Sequence, residues 1–226
     1  MSARRFHPPE THDAFVINPA TEEKVAWWTA KYPADRKQSA VIPALWLVQK
    51  QNAGWLSEPA MRAVADRLEM AYIRVYEVAT FYTMFNLDPV GKHHLQVCGT
   101  TPCMLRGADK LIEMCERKIG PSGHVSENGT FSWIEVEWLG ACVNAPMIQI
   151  NDYYYEDLTT DTLEKVMTEL ADGKSPRPGP YVDRDTSAPT GNARSLTDET
   201  LYDGSRAAAL SQIPNAPASS SEGGEA

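Results

Sequence analysis

Hydrophobic period changes once along this chain, at Pro89-Val90-Gly91, and the change separates two kinds of structure. On the N-terminal side the apolar residues recur at helical spacing. Asn18-Pro19 is a cap followed by a first-turn proline, Glu22 and Glu23 suit the positive end of a helix dipole, and Val25, Trp28 and Tyr32 follow on one stripe up to Pro33. A second helix is expected over Ala40 to Gln51, ending near Gly54, with Pro43 in its first turn or kinking it. Ser57 before Glu58-Pro59 starts a third, whose Met61, Val64, Ala65 and Leu68 share a face. A fourth is expected from Ile73 to Phe85. Short connections make these helices a compact bundle or a helical clamp.

On the C-terminal side, short alternating runs are interleaved with two helical stretches. His93 to Val97 and Phe131 to Glu137 alternate as strands. Met147 to Ile150 and Tyr153 to Tyr155 flank Asn151-Asp152, a tight hairpin turn. Pro102 to Ile119 is expected as one helix, with Leu105, Ala108, Leu111, Ile112 and Cys115 on its apolar stripe. Thr160 to Ala171 closes the unit, with Leu163, Val166, Met167 and Leu170 inward and Gly173 past its end. The order is β-α-β-β-β-α, and the first crossover makes its two strands parallel if they pair directly or share that direction. That is a thioredoxin-like arrangement. The expected division is a flexible N-terminus over 1–18, a helical domain over 19–90, a thioredoxin-like α/β domain over 91–175, and a tail over 176–226. In the tail Pro176, Pro178 and Pro180 cluster and the last residues are Ser, Gly, Glu and Ala. Such a composition buries too little apolar surface to fold alone, so the tail is extended along a partner or disordered.

Twenty-one basic against 30 acidic residues give a net charge of −9. That argues against a nucleic-acid backbone as partner, because phosphate binding is driven by lysine and arginine. The acidity serves solubility or a docking face for a basic partner. No apolar run approaches the roughly 20 residues needed to span a bilayer, and no apolar stretch follows the two N-terminal arginines as a secretory signal requires. A reducing cytoplasm is the expected setting. There the four cysteines, Cys98, Cys103, Cys115 and Cys142, are metal ligands or core thiols and not disulfides.

Cys98 ends the first strand, and Cys103 opens the helix behind it after Gly99-Thr100-Thr101-Pro102. A strand-to-helix turn exposes backbone N–H groups and the positive end of a helix dipole, and an anionic thiolate–iron cluster gains from both. A C-x4-C pair alone leaves metal binding and an ordinary buried thiol both open. The spacing is not C-x-x-C, so dithiol–disulfide chemistry is not expected. No GxGxxG or GxxxxGK[ST] phosphate loop occurs, so the chain is not expected to bind NADH or flavin by itself.

The segments VYEVATFYTMF (75–85), CGTTPCMLRG (98–107), VEWLGACVNAPMIQINDYYYEDLT (136–159) and GKSPRPGP (173–180) closely resemble the 24-kilodalton iron–sulfur subunit of respiratory complex I, NADH:quinone oxidoreductase, of alphaproteobacterial and mitochondrial type. The resemblance runs from about residue 15 to 180. It implies an N-terminal helical bundle followed by a thioredoxin-like [2Fe–2S] ferredoxin domain. It also implies a role as the electron-carrying subunit beside a flavin- and NADH-binding subunit, with other peripheral-arm subunits as further partners. The chain would then lie in the cytoplasm, peripheral to the inner membrane, without inserting into it. In that family a [2Fe–2S] cluster is held by a C-x4-C pair and a later C-x3-C pair. The match carries over to Cys98, Cys103 and Cys142, whereas the third ligand position is Trp138. Indole N–H is a donor only and cannot replace a thiolate. Water, Glu137 or Asn144 could complete the site, or the cluster could be absent, leaving a structural subunit that stabilises the flavin subunit. The indole is expected to displace the loop or fill the pocket. A soluble NAD-linked hydrogenase or formate dehydrogenase is a weaker setting for the same module.

Four other features are read as structural. Cys115, on a helix continuing from Cys103, is expected as a core thiol. His93 and His94 face opposite ways on a strand, so they cannot share an ion, and a surface or edge place is expected. Trp27, Trp28, Trp46 and Trp55 are expected in packing or subunit contacts. Pro146 sits where thioredoxin-like folds often carry a cis proline, and its isomer is left open.

Overall fold

A computed structural model describes residues 14–191, 195–201 and 203–204, which fall into two compact units divided between Gly179 and Pro180. The first unit opens with four helices: α1 (Pro19–Thr29), α2 (Val41–Gln51), α3 (Glu58–Leu68) and α4 (Tyr72–Phe81). The cap signals act as expected. Asn18 accepts from the Thr21 N–H and Ser57 from the Ala60 N–H, each satisfying a donor that the first turn leaves free. Val25, Leu45, Val48, Leu56, Met61, Leu68, Val75 and Phe85 form one core between these helices.

Two boundaries differ from expectation. α1 ends at Thr29 rather than Pro33, and a 3₁₀ helix over Ala34–Ala40 fills the approach to α2. α4 stops at Phe81, because Tyr82 is extended (φ −87°, ψ 116°), and Phe85 packs into the core from the loop beyond.

The α/β part runs β1 (His93–Cys98), α5 (Thr101–Leu105), α6 (Ala108–Ile119), β2 (Phe131–Val136), β3 (Ile148–Ile150), β4 (Tyr153–Glu156), α7 (Thr160–Ala171) and a two-residue β5 (Gly179–Pro180). The sheet order is β2-β1-β3-β4-β5. β1 pairs parallel with β2, Leu95 opposite Trp133, and antiparallel with β3, Val97 opposite Ile148. The parallel crossover and the β3–β4 hairpin at Asn151-Asp152 are as expected, with Asn151 taking the positive φ (52°) that this turn needs.

The single helix expected from Pro102 to Ile119 is two helices. Gly107 sits at φ 97°, ψ 28°, a conformation that breaks the helical path and starts α6 in a new direction. The expected stripe does not run through the break: Leu105, placed on it from the sequence, is 82% exposed, and α5 buries only Cys103, while Ala108, Leu111 and Cys115 are buried on α6.

The second unit's described residues run in turns, Ala188 N–H reaching the Asp185 carbonyl at 2.8 Å, with a short 3₁₀ helix at Glu199–Leu201. Residues 1–13 of the expected flexible N-terminus, and 192–194, 202 and 205–226 of the expected tail, lie outside the described residues. Among the described residues no helix is long and apolar enough to cross a membrane.

Candidate functional site

Three of the four cysteines meet where β1 ends. Cys98 is the last residue of β1, Cys103 lies in the first turn of α5, and Cys142 begins a short 3₁₀ helix, Cys142–Asn144, that packs against α5. Thr100, between the first two, is the residue from which α5 starts. Cys98 and Cys103 are buried in an apolar shell of Ala108, Ala145 and Met147, with Leu139 and Ala141 beside it, whereas Cys142 is only half-buried. The Ala145–Pro146 bond is cis, and Met147 beyond it packs against the buried pair.

Donors converge on these sulfurs. Burial acts to push the Cys98 thiol up, but the Thr100 hydroxyl (3.2 Å), the Thr100 N–H, the Cys103 thiol and the Leu139 N–H outweigh it and hold Cys98 below the ordinary thiol range. Cys103 is pushed up to about 12 by burial and by the hydrogen bond it gives Cys98, against one N–H from Met147, and it also feels the Cys142 charge. Hydrogen bonds of this kind stabilise charge on sulfur. Tyr154 ties the loop down from outside, its hydroxyl donating to the Leu139 carbonyl at 2.8 Å.

Cys115 is elsewhere, on the buried face of α6, and burial alone pushes its thiol up to about 12. Because α5 and α6 are separate helices, its distance from the site follows from the break at Gly107 and not from a continuous helix rise. Among the described residues no three His, Cys, Asp or Glu side chains are gathered closely enough to hold a single metal ion. The thiols stand as a contacting pair, Cys98 and Cys103, with Cys142 alongside.

Trp138 does not fill the pocket. Its backbone turns to φ 55° and its side chain is 67% exposed, so the indole lies on the rim while the next residue, Leu139, turns its N–H to Cys98. Neither polar neighbour takes its place. Asn144 is buried with its amide donating to Glu156 at 2.6 Å, and Glu137 is exposed.

The histidines correct the sequence reading. β1 lies inside the sheet, so His94 is buried rather than at a surface or edge. Its Nδ1 is 2.8 Å from Ser132 Oγ, which also accepts the Gly91 N–H at 2.9 Å. Burial pushes His94 down to about 4. The one available sequence signal was Ser132, a small hydroxyl at the facing register position on β2.

A sheet of this order, with thiols at the β1–α5 turn and on the loop before a cis proline, defines a thioredoxin-like ferredoxin. A family model described as thioredoxin-like [2Fe–2S] ferredoxin matches residues 25–171. The E subunit of NADH-quinone oxidoreductase from Rickettsia bellii is 57% identical over 141 residues, 62% of this chain and 84% of that one. The corresponding NADH-quinone oxidoreductase subunit of Rhizobium meliloti is 52% identical over 203 residues, 87% of this chain and 73% of that one. The chain belongs to the E-subunit family of NADH-quinone oxidoreductases, within the thioredoxin-like [2Fe–2S] ferredoxins. A crystal structure of an NAD+-reducing [NiFe]-hydrogenase in the H2-reduced state superposes with a TM-score of 0.50 at 16% identity, covering 59% of this chain and 23% of that one. At that identity the likeness is one of fold.

The cofactor that the family implies is a [2Fe–2S] cluster. The residues present suit it in part. Three thiols and an apolar shell are part of what such a group needs, and the fourth thiol of the chain, Cys115, lies elsewhere, buried on α6.

Proposed function

We propose that this chain is the electron-carrying subunit of an NADH-quinone oxidoreductase, with Cys98, Cys103 and Cys142 as ligands of a [2Fe–2S] cluster, and that it exchanges electrons with the flavin of a partner subunit. The cluster supplies a one-electron store. Cys98 and Cys103 hold one side of the site, and Cys142 contributes to the other. Thr100 and Leu139 would favour negative charge on Cys98, and the apolar shell keeps water away from the buried pair. Three thiols near the end of β1, two of them buried in one apolar shell, in a chain of a [2Fe–2S] ferredoxin family, carry the reading. The complex would sit at the cytoplasmic face of the inner membrane, with this chain in its peripheral arm.

A second reading rests on Trp138. With one thiolate fewer the site is less negative and retains its group less firmly, and in the limit the chain is a scaffold that stabilises the flavin subunit. Anaerobic reconstitution with iron and sulfide, run in parallel on Trp138→Cys, separates the two. The variant is expected to hold a stable cluster with a [2Fe–2S] signal on reduction, and the parent to hold less and lose it faster in air. Equal occupancy and equal air stability would overturn the three-cysteine site. A cluster in neither protein would favour the scaffold.

A further inference from the structure

The loop that carries Cys142 is held from the side of β4. Beyond that cysteine, Asp157 N–H donates to the Asn144 carbonyl at 2.8 Å, Leu158 N–H to the Pro146 carbonyl at 3.0 Å, and the Asn144 amide to Glu156 at 2.6 Å. Ahead of it the hold is a side chain: the Tyr154 hydroxyl donates to the Leu139 carbonyl at 2.8 Å. Tyr154 is half-buried, and with Leu139 and Ala141 it packs against the cluster that encloses Cys98 and Cys103. Leu139 is thus held on both sides, by its carbonyl at Tyr154 and by its N–H at Cys98.

This double hold acts on the residues to either side. Trp138 stands at φ 55° and Gly140 at φ 83°. Glycine takes such an angle freely, but a bulky residue there is strained and stays only where its surroundings leave no alternative. The indole supplies no such surroundings itself, being 67% exposed. The constraint comes instead from the backbone at Leu139, whose two anchored groups fix the chain entering and leaving it. Released at its carbonyl, the loop would let Trp138 return to a negative φ, and the cover over Cys98, now 2% exposed, would open.

We propose that Tyr154 is a positioning residue of the thiol site, a latch whose hydroxyl keeps the 137–141 loop closed over Cys98 and the Trp138 indole turned out. The latch acts on the thiols themselves and needs no metal group. Its bond is to a carbonyl of the loop and not to a thiol. Losing it therefore moves the loop and leaves the apolar shell of Ala108, Ala145 and Met147 in place.

The test uses the full chain, freed of iron by chelation under anaerobic conditions, alongside Tyr154→Phe, which keeps the ring and removes only the hydroxyl. A pulse of iodoacetamide is followed by peptide mass spectrometry, which reads each cysteine separately. In the parent, half-buried Cys142 is expected to label first, and Cys98, Cys103 and Cys115 slowly. In Tyr154→Phe the Cys98 rate is expected to rise by about 2–10-fold, the factor that one hydrogen bond supports, with Cys115 unchanged. Cys115 lies in the α6 core and reports general loosening. An unchanged Cys98 rate, or a parallel rise at Cys115, would overturn the proposal. Amide exchange gives a check that needs no variant. The Leu139 N–H of the parent is expected to exchange more slowly than that of exposed Gly140, and equal rates would also overturn it.

Discussion

Acidification should destabilise this fold through His94, and the size of the effect can be worked out. In the unfolded chain the ring titrates near its ordinary 6.5, and in the fold burial alone pushes it down to about 4. The folded state therefore binds fewer protons than the unfolded state between these values. The sign follows: the group costs nothing well above pH 6.5, stability falls as pH drops through 6.5, and the loss levels off below about 4. At about 1.4 kcal/mol for each tenfold change, the loss from this residue is about 1.4 kcal/mol at pH 5.5 and about 3 kcal/mol at pH 4. His94→Gln keeps an amide facing Ser132 and removes the titration. Urea unfolding of both proteins from pH 7.5 to 4 isolates the contribution, because every other carboxylate and histidine, His93 included, cancels in the difference. The stability difference between the two should drift in the variant's favour by about 3 kcal/mol across that range. Parallel curves would refute the argument, and would mean that the ring is hydrated or paired where the structure buries it.

Cys115→Ser should leave iron content after reconstitution unchanged and lower stability by about 1–3 kcal/mol, for a hydroxyl placed in an apolar site; a collapse of iron content in a folded protein would make Cys115 a ligand. Gly91→Ala should cost about 1–3 kcal/mol or more, since a Cβ there would collide with the Phe131 carbonyl carbon, which is backbone and cannot yield. Gly99→Ala should cost less, because its nearest contacts would be with the flexible Glu135 side chain and not with backbone; a reversed order of urea midpoints would contradict this.

Local signals carried much of the fold. Asn18 and Ser57 mark helix starts because a side-chain oxygen beside a free N–H is a nearest-neighbour event, and the β1–β2 and β3–β4 pairings followed from alternation and turn chemistry. The failures share a cause. Gly107 could break a helix or merely weaken one, and the choice was made by how α5 and α6 pack, which no residue near Gly107 encodes. His94 looked exposed because alternation gives the face of a strand but not its place in the sheet, and β1 became interior only when β2 and β3 paired on either side.

The thiol site shows the same division between residue type and placement. The identity of Cys98, Cys103 and Cys142 was available from spacing and family resemblance, and so was the substitution at Trp138. What that substitution does depended on a backbone angle. An indole directed inward would have filled the site and argued for a scaffold. At φ 55° it is directed outward, and the N–H of Leu139 still reaches Cys98. The donors at Cys98 are thus undisturbed by the indole. That favours the proposed electron-carrying reading over the scaffold, and makes position 138 the place where the two readings are best tested.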